Sequence, residues 1–340
     1  MTPQICLVPK LEGLGGMVSF QAKFIKGLTE REIPFTFDMT DPHNTAVLVI
    51  GGTRHLCKLR VAKRRGARIV QRLNGMNWLH KVEKTPVKNY LRAEISNRIL
   101  AFIRGSLVDG IVYQSQFSQD WWNTVFGERL VPTQVIYNAV DLKTYSPAGT
   151  EKPPDDHFRI LLVEGHLSGA YARGLETAIR MAQAVKNAHQ LKVELMVVGD
   201  VSDALKAQAH TMAPNLWITW RGVVPREAIP SIDRSAHVLF SADLNAACPN
   251  SVIEALACGL PVVAYNTGAL AELVQGSSGE VVPYGTDHWQ LNDPVIPPMA
   301  NACAKVLRKN ASYRIHAREW AKASFSLDTM VEAYLEALGA

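Results

Sequence analysis

The stretch CPNSVIEALACGLPVVA, residues 248–264, decides how the chain is read. Asn250 or Ser251 is placed to cap a short helix, Gly259 to stop it, and Pro261 to open an apolar run short enough for a buried strand. The same punctuation recurs outward in both directions. Toward the C-terminus it is followed by GEVVPY (279–284), and toward the N-terminus it is preceded by FRILLVEG (158–165), VELMVVGD (193–200), LWITWRG (216–222) and HVLFSA (237–242). The first half carries its own set: ICLVP (5–9), AVLVIGG (46–52), ARIVQRLNG (67–75), GIVYQS (110–115) and TQVIYNA (133–139). Apolar runs without alternation, running into turn residues and separated by helical patterns, are the mark of parallel strands covered on both faces.

At 340 residues, the chain is too long for one ordinary α/β core and suits two, given ~150 residues per domain. Its composition, 47% hydrophobic and 20% charged, is that of a globular protein and excludes disorder. DLKTYSPAGTEKPPDDH, rich in Pro and charge, reads as a linker near residues 142–157. The segment from Tyr313 to Ala340 reads as amphipathic helix broken at Ser326-Leu327-Asp328. The fold class expected is therefore α/β, with two Rossmann-like, doubly wound domains whose strand ends share a crevice. There is no run of ~18 apolar residues and no basic-then-apolar leader, so a cytoplasmic protein is expected. Cys6, Cys57, Cys248, Cys258 and Cys303 are scattered without a C-x-x-C pair, which leaves no zinc or redox motif.

Charge is unevenly spread. Residues 51–104 hold fourteen Lys/Arg against Glu83 and Glu94, a segment charge of +12, so the rest of this +5 chain sums to 5 − 12 = −7. Such a segment attracts phosphates, on an anionic membrane surface or on a lipid-linked or phosphorylated partner; a merely solvated helix face explains it equally well. Nucleic acid is the weakest reading, since no aromatic RNA-binding strand or metal-stabilised finger accompanies the charge.

The helix start at Asn250, Ser251 and Val252 offers free N–H groups and a positive dipole end to a diphosphate. Glu254, on its first turn, is able to accept hydrogen bonds from the two hydroxyls of a ribose. Ser251-x-x-Glu254 is also a capping box, in which the same carboxylate only satisfies a backbone N–H. Taken alone, the string favours the cap. The whole of it, however, resembles the nucleotide-sugar signature of retaining GT-B glycosyltransferases of family 4 (glycosyl transferases group 1), whose E-x7-E motif runs into E-A-L/M-A-x-G-x-P-V. The resemblance implies two domains facing across a cleft, at 1–145 on the acceptor side and 156–318 on the donor side. It implies too that a C-terminal helix, 319–340, returns to the first. It makes Glu254 the ribose ligand. The first Glu of the motif falls on Ala246, so Asp243, Asn245 or backbone groups replace it, or transfer is lost.

Other segments extend the resemblance over nearly the whole chain. Leu14-Gly15-Gly16-Met17 matches the family's N-terminal glycine loop, where backbone approaches donor phosphates or acceptor. Residues 135–141, VIYNAVD, match the bridge into the second domain; there Asn138 and Asp141 have turn and cap roles. Glu164-Gly165-His166 and Arg173-Gly174 resemble the segment whose cations clamp the diphosphate, with His166 for the family's Arg and Arg173 for its Lys. Gly199 and Val223 stand in the loops that hold the nucleobase through backbone groups. Asn74 occupies the place of a family His, so no side-chain acid–base help is expected there. Gln71, Arg72, Asn74, Trp78 and Met17 are the candidates for the acceptor side, with strand-end packing as the alternative. Arg314–Arg318 and Phe325–Asp328 resemble the closing helix, an interdomain strap.

The function implied is transfer of a sugar, with retention, from a UDP- or GDP-linked donor to a glycan, lipid-linked or small-molecule acceptor in cell-envelope or exopolysaccharide synthesis. Arg173, His166 and Glu254 are its central residues. No cofactor is implied, and no metal, since no D-x-D motif ends a strand. The protein would lie in the cytoplasm, peripheral at the inner face of the membrane if the basic segment engages it. A nucleotide-sugar-binding module without turnover is the main alternative. A dehydrogenase fails because Gly13-x-Gly15-Gly16 lacks G-x-G-x-x-G spacing, and a glycosidase because no facing pair of carboxylates is legible.

Overall fold

In the computed structural model, which describes residues 3–13, 15–167 and 172–340 with the His166 side chain left out, the chain divides into two compact units. One comprises residues 1–139 and 327–340, the other 140–326. The linker stretch 142–157 and the turn before Leu327 thus fall within the second unit.

The first unit runs β1 (Gln4–Val8), α1 (Gly16–Glu30), β2 (Phe35–Thr36), β3 (Asn44–Ile50), α2 (Leu56–Arg64), β4 (Arg68–Leu73), α3 (Val87–Ser106), β5 (Gly110–Tyr113), α4 (Gln116–Phe126) and β6 (Thr133–Val135). Its parallel sheet has the order β2-β1-β3-β4-β5-β6. Ala46 to Ile50 are all buried, as both faces of a helix-covered parallel sheet demand.

The second unit runs β7 (Phe158–His166), α5 (Ala172–His189), β8 (Val193–Asp200), α6 (Asp203–Met212), β9 (Trp217–Gly222), α7 (Ile229–Arg234), β10 (Val238–Ser241), α8 (Asn250–Ala257), β11 (Val262–Tyr265), α9 (Leu270–Leu273), β12 (Gly279–Val282), α10 (Ile296–Arg308) and α11 (Asn310–Ser324). The sheet order is β12-β11-β10-β7-β8-β9. All eleven apolar runs form strands; the added strand is the two-residue β2.

The last helix, α12 (Leu327–Leu338), belongs to the first unit. Its Met330, Val331 and Tyr334 join Ile5, Phe20 and Phe24 in one core, Tyr334 lying 5.0 Å from Phe20 and 5.5 Å from Phe24 between ring centroids. Gly27 permits that packing, since a Cβ there would stand 2.3 Å from Val331 Cγ2. Arg68 Nε donates to the Ala337 carbonyl at 2.8 Å and fixes the helix end. Within the second unit Arg318 donates to the carbonyls of Leu142, Tyr145 and Ala257, while Arg314 donates to that of Ala236. These arginines of α11 tie loops of their own unit together.

Candidate active site

In each sheet the strand order reverses once, and a crevice forms where the chain leaves two adjacent strands in opposite directions. In the second unit that point lies between β7 and β10. Glu164, Gly165 and His166 end β7, while Ala242 and Asp243 follow β10. A pocket opens here, lined by Arg173, Gly174 and Thr177 of α5 together with Ser241, Ala242 and Asp243. A Cβ on Gly174 would lie 2.7 Å from that of Ala242, so α5 sits directly against the loop after β10. Arg173 is half-exposed; its Nη1 donates to the Leu291 carbonyl at 3.1 Å, with Asp293 4.0 Å away. A guanidinium has five N–H donors, and this bond uses one.

The loop then carries Asn245, in left-handed conformation at φ 54°, buried, with neither amide atom hydrogen-bonded within the protein. A buried polar group without a partner is rare enough to require an explanation. Beside it, the Ala246 carbonyl accepts from Ala269 N at 2.9 Å, so the main chain is pinned where the motif's first carboxylate is missing.

One expectation is corrected at α8. Its N-cap is Pro249, extended at φ −66° and ψ 125°, with no side-chain cap bond. Asn250 and Ser251 lie inside the first turn, so Ser251 and Glu254 do not form a capping box. The proline ring already sets the φ that turns the chain into the helix, which makes a side-chain cap unnecessary for the entry geometry. The first N–H groups of α8 are therefore not taken by a capping side chain. The stop falls at Gly259 as read. Gly259 N donates to Leu256 O and Leu260 N to Ala255 O, a Schellman pair that needs the left-handed φ of 69° found there.

Glu254 is 8% exposed, and its Oε1 lies 4.0 Å from Arg226 Nη2. Its charge is felt nearby: Asp233, buried on α7, has its carboxyl raised well above the usual range by burial first and by Glu254 second. The Tyr145 phenol is raised for the same two reasons, against a lowering hydrogen bond from Arg226. Glu164 and Asp243 form a second acidic pair. Burial, then the charge of Asp243, raises Glu164 well above the carboxylate range, and burial raises Asp243 to about 6. The sequence reading missed Glu164. Its signal was a carboxylate inside the buried apolar run ILLVEG, one residue before the glycine.

The other sequence-predicted residues separate into two kinds. Gly199 is required by the fold itself, since at φ 145° a Cβ would meet the Glu164 carbonyl oxygen at 1.9 Å. Gly165 is not, because nothing lies within 4 Å of a Cβ placed there. Val223 is exposed. The side chain of His166 and all of Leu14 lie outside the described residues.

In the first unit the strand order reverses between β1 and β3. Gly15 and Gly16 are exposed at the start of α1. Met17 Sδ and Asn74 Oδ1 converge on Gly51, 3.4 and 3.9 Å from the place of a Cβ. Trp78 precedes the 3-10 turn Leu79–Lys81 as its N-cap. Arg72, expected on the acceptor side, is instead internal: 1% exposed, stacked 3.9 Å from the Phe20 ring centroid, with Nη2 donating to Asn138 Oδ1 at 2.7 Å. Gln71 is buried too, its Nε2 donating to the Gly51 carbonyl at 2.8 Å. These strand residues point into packed layers, where the arginine is held by an aromatic face and an amide.

The family model described as glycosyl transferases group 1 matches the stretch from β7 to the start of α10. The match covers residues 159–296. Anabaena HepE, in a crystal structure with UDP and glucose, is similar over 99% of both chains at a TM-score of 0.68 and 18% identity. A glycosyltransferase from Rickettsia africae is similar over 99% of this chain and 97% of its own, at 0.67 and 15%. An uncharacterized glycosyltransferase of Methanocaldococcus jannaschii is 27% identical over 121 residues, which are 36% of this chain and 30% of that protein's length. The two crystal structures establish the fold, that of the GT-B glycosyltransferases, and the part of the second unit from 159 to 296 is similar to the group 1 glycosyl transferases.

Proposed function

We propose that the protein is a retaining glycosyltransferase. It moves a sugar from a UDP- or GDP-linked donor to a glycan, lipid-linked or small-molecule acceptor without a metal ion, in cell-envelope or exopolysaccharide synthesis. One observation carries the reading: within residues 159–296, Arg173 shares the crevice between β7 and β10 with the loop that leads into the uncapped start of α8. A cation suits a diphosphate by charge, and helix N–H groups suit it by hydrogen-bond direction.

In this reading the amides of Asn250, Ser251 and Val252 hold the diphosphate, and Glu254 accepts from the ribose hydroxyls. Gly165, Gly199 and Val223 bound the nucleotide with backbone, and Gly15 and Gly16 offer backbone from the first unit. Arg173 neutralises charge on the departing phosphate as the C1–O bond to it breaks and the acceptor oxygen bonds to C1; the acceptor proton passes to that phosphate. His166 assists Arg173, while Met17, Asn74 and Trp78 contact the sugar acceptor. Catalysis then rests on positioning and on stabilising the leaving group.

Ala246 in the place of the motif's first carboxylate favours one competing reading, a module that binds nucleotide sugars without transferring them. A hydrolysis and transfer assay over UDP-, GDP- and ADP-sugars, run beside calorimetric binding, separates the two. Turnover supports the enzyme, and tight binding without release of the sugar supports the module. Absence of binding by any of the three would remove both.

A further inference from the structure

Helix α3 carries apolar residues on two sides. One side is anchored: Ile103 is buried in the core, Asn97 Oδ1 accepts from Asn77 N at 3.0 Å, and His80 Nε2 pairs with Glu94 Oε1 at 2.8 Å. Arg104, at the far end, donates to Tyr113 Oη and to the Gly127 carbonyl. The other side faces outward with Val87 74%, Leu91 53%, Ile95 53% and Phe102 37% exposed. Steps of four, four and seven residues keep these on one stripe of a helix with ~3.6 residues per turn. Cations accompany the stripe. Lys84, Lys88, Arg92 and Arg98 are exposed and in no ion pair among the described residues, and the Arg60 guanidinium of α2 lies 5.5 Å from the Phe102 ring centroid.

We infer that this face of α3 lies on an anionic lipid bilayer, with the cations at the headgroups and the stripe in the boundary with the acyl chains. No helix among the described residues is long and apolar enough to cross a membrane, so the contact is one of a helix lying in the interface. Charge selects the occupant. A second copy docked by two-fold symmetry would set Lys88, Arg92 and Arg98 against themselves. A nucleic acid would meet the cations but offer no apolar layer to cover Leu91 and Ile95. An anionic bilayer satisfies both at once.

The test is cosedimentation of the full chain with vesicles of phosphatidylcholine, with and without phosphatidylglycerol. The expected result is binding to the anionic vesicles only, weakening as salt rises. The double substitution Lys88→Glu with Arg92→Glu should reduce it by about fivefold or more for each cation lost, and Leu91→Ser with Ile95→Ser by about tenfold. All four positions are exposed, and circular dichroism melts confirm that the variants fold. Three outcomes overturn the inference: no binding at low salt, full binding by either double variant, or a dimer in light scattering that the serine variant dissociates. None of these readouts involves nucleotide or sugar transfer, so the lipid contact and the proposed activity stand or fall separately.

Discussion

Replacing Glu254 with Ala separates donor binding from folding. If the carboxylate accepts two hydroxyl hydrogen bonds, each bond to a charged acceptor contributes ~1.5–3 kcal/mol. With partial compensation by water, a loss of about 2–4 kcal/mol is expected, roughly 30- to 1000-fold in affinity. The cost to the unliganded fold should be far smaller. The Arg226 contact is at 4.0 Å from an arginine side chain 42% exposed, a geometry worth ~0–1 kcal/mol. Removing the charge also relieves Asp233 and Tyr145, whose acidic groups Glu254 pushes upward. The rise in melting temperature produced by the cognate nucleotide diphosphate should therefore collapse in the variant, whatever the melting temperature of the free protein. Calorimetric titration gives the affinity directly, and Glu254→Gln, which keeps one neutral acceptor, should fall between. Unchanged affinity in Glu254→Ala would refute the ribose contact, and a lowered melting point with intact affinity would make the residue structural.

Arg173→Ala should lower kcat by about 10- to 100-fold with a lesser effect on donor affinity, as steady-state kinetics beside calorimetry will show; equal losses in both would mean uniform binding. Stability should fall as pH rises from about 4 to 6, because burial raises Asp243 to about 6, so the native state binds its proton more tightly than the unfolded chain in that window. Asp243→Asn should flatten the slope of melting temperature against pH, and a slope unchanged in the variant would show that another group causes it. Arg72→Leu should destabilise the protein by about 2–4 kcal/mol by removing a buried donor and its stacking on Phe20, with the KM for acceptor unaltered in the fraction that folds. A raised acceptor KM at normal stability would return Arg72 to the acceptor side.

The strands were legible because covered parallel sheets need unbroken apolar runs, and in this chain each run is closed by a turn residue. β2 was not, since two residues, Phe35 and Thr36, carry no pattern. The two ends of α8 show how local chemistry differs in what it reveals. Gly259 signals its stop because only a left-handed residue completes the Schellman bonds. The start misled, because Asn and Ser are such common caps that the adjoining Pro249, which needs no side chain to turn the chain, passed unnoticed. Arg72 misled for another reason: a cation at a strand end reads as exposed, and nothing in the run announces that Phe20 and Asn138 close over it.

The acidic pair was illegible in principle. Glu164 and Asp243 are far apart in sequence and become neighbours only because the strand order places β10 beside β7, a crossover that no local pattern encodes. That same crossover brings Arg173 to Ala242 and Asp243. A cation, two carboxyls that resist ionisation and a buried Asn245 amide without a protein partner thus meet where one sheet reverses its order. Burial raises both carboxyls, Glu164 well above the usual range and Asp243 to about 6. The loss of the motif's first Glu at Ala246 then removes one more negative group beside the proposed diphosphate seat, while the pinned main chain keeps the loop in place. Under the proposed function, these features alter the sugar contacts of the donor site and leave in place the groups that would receive phosphate.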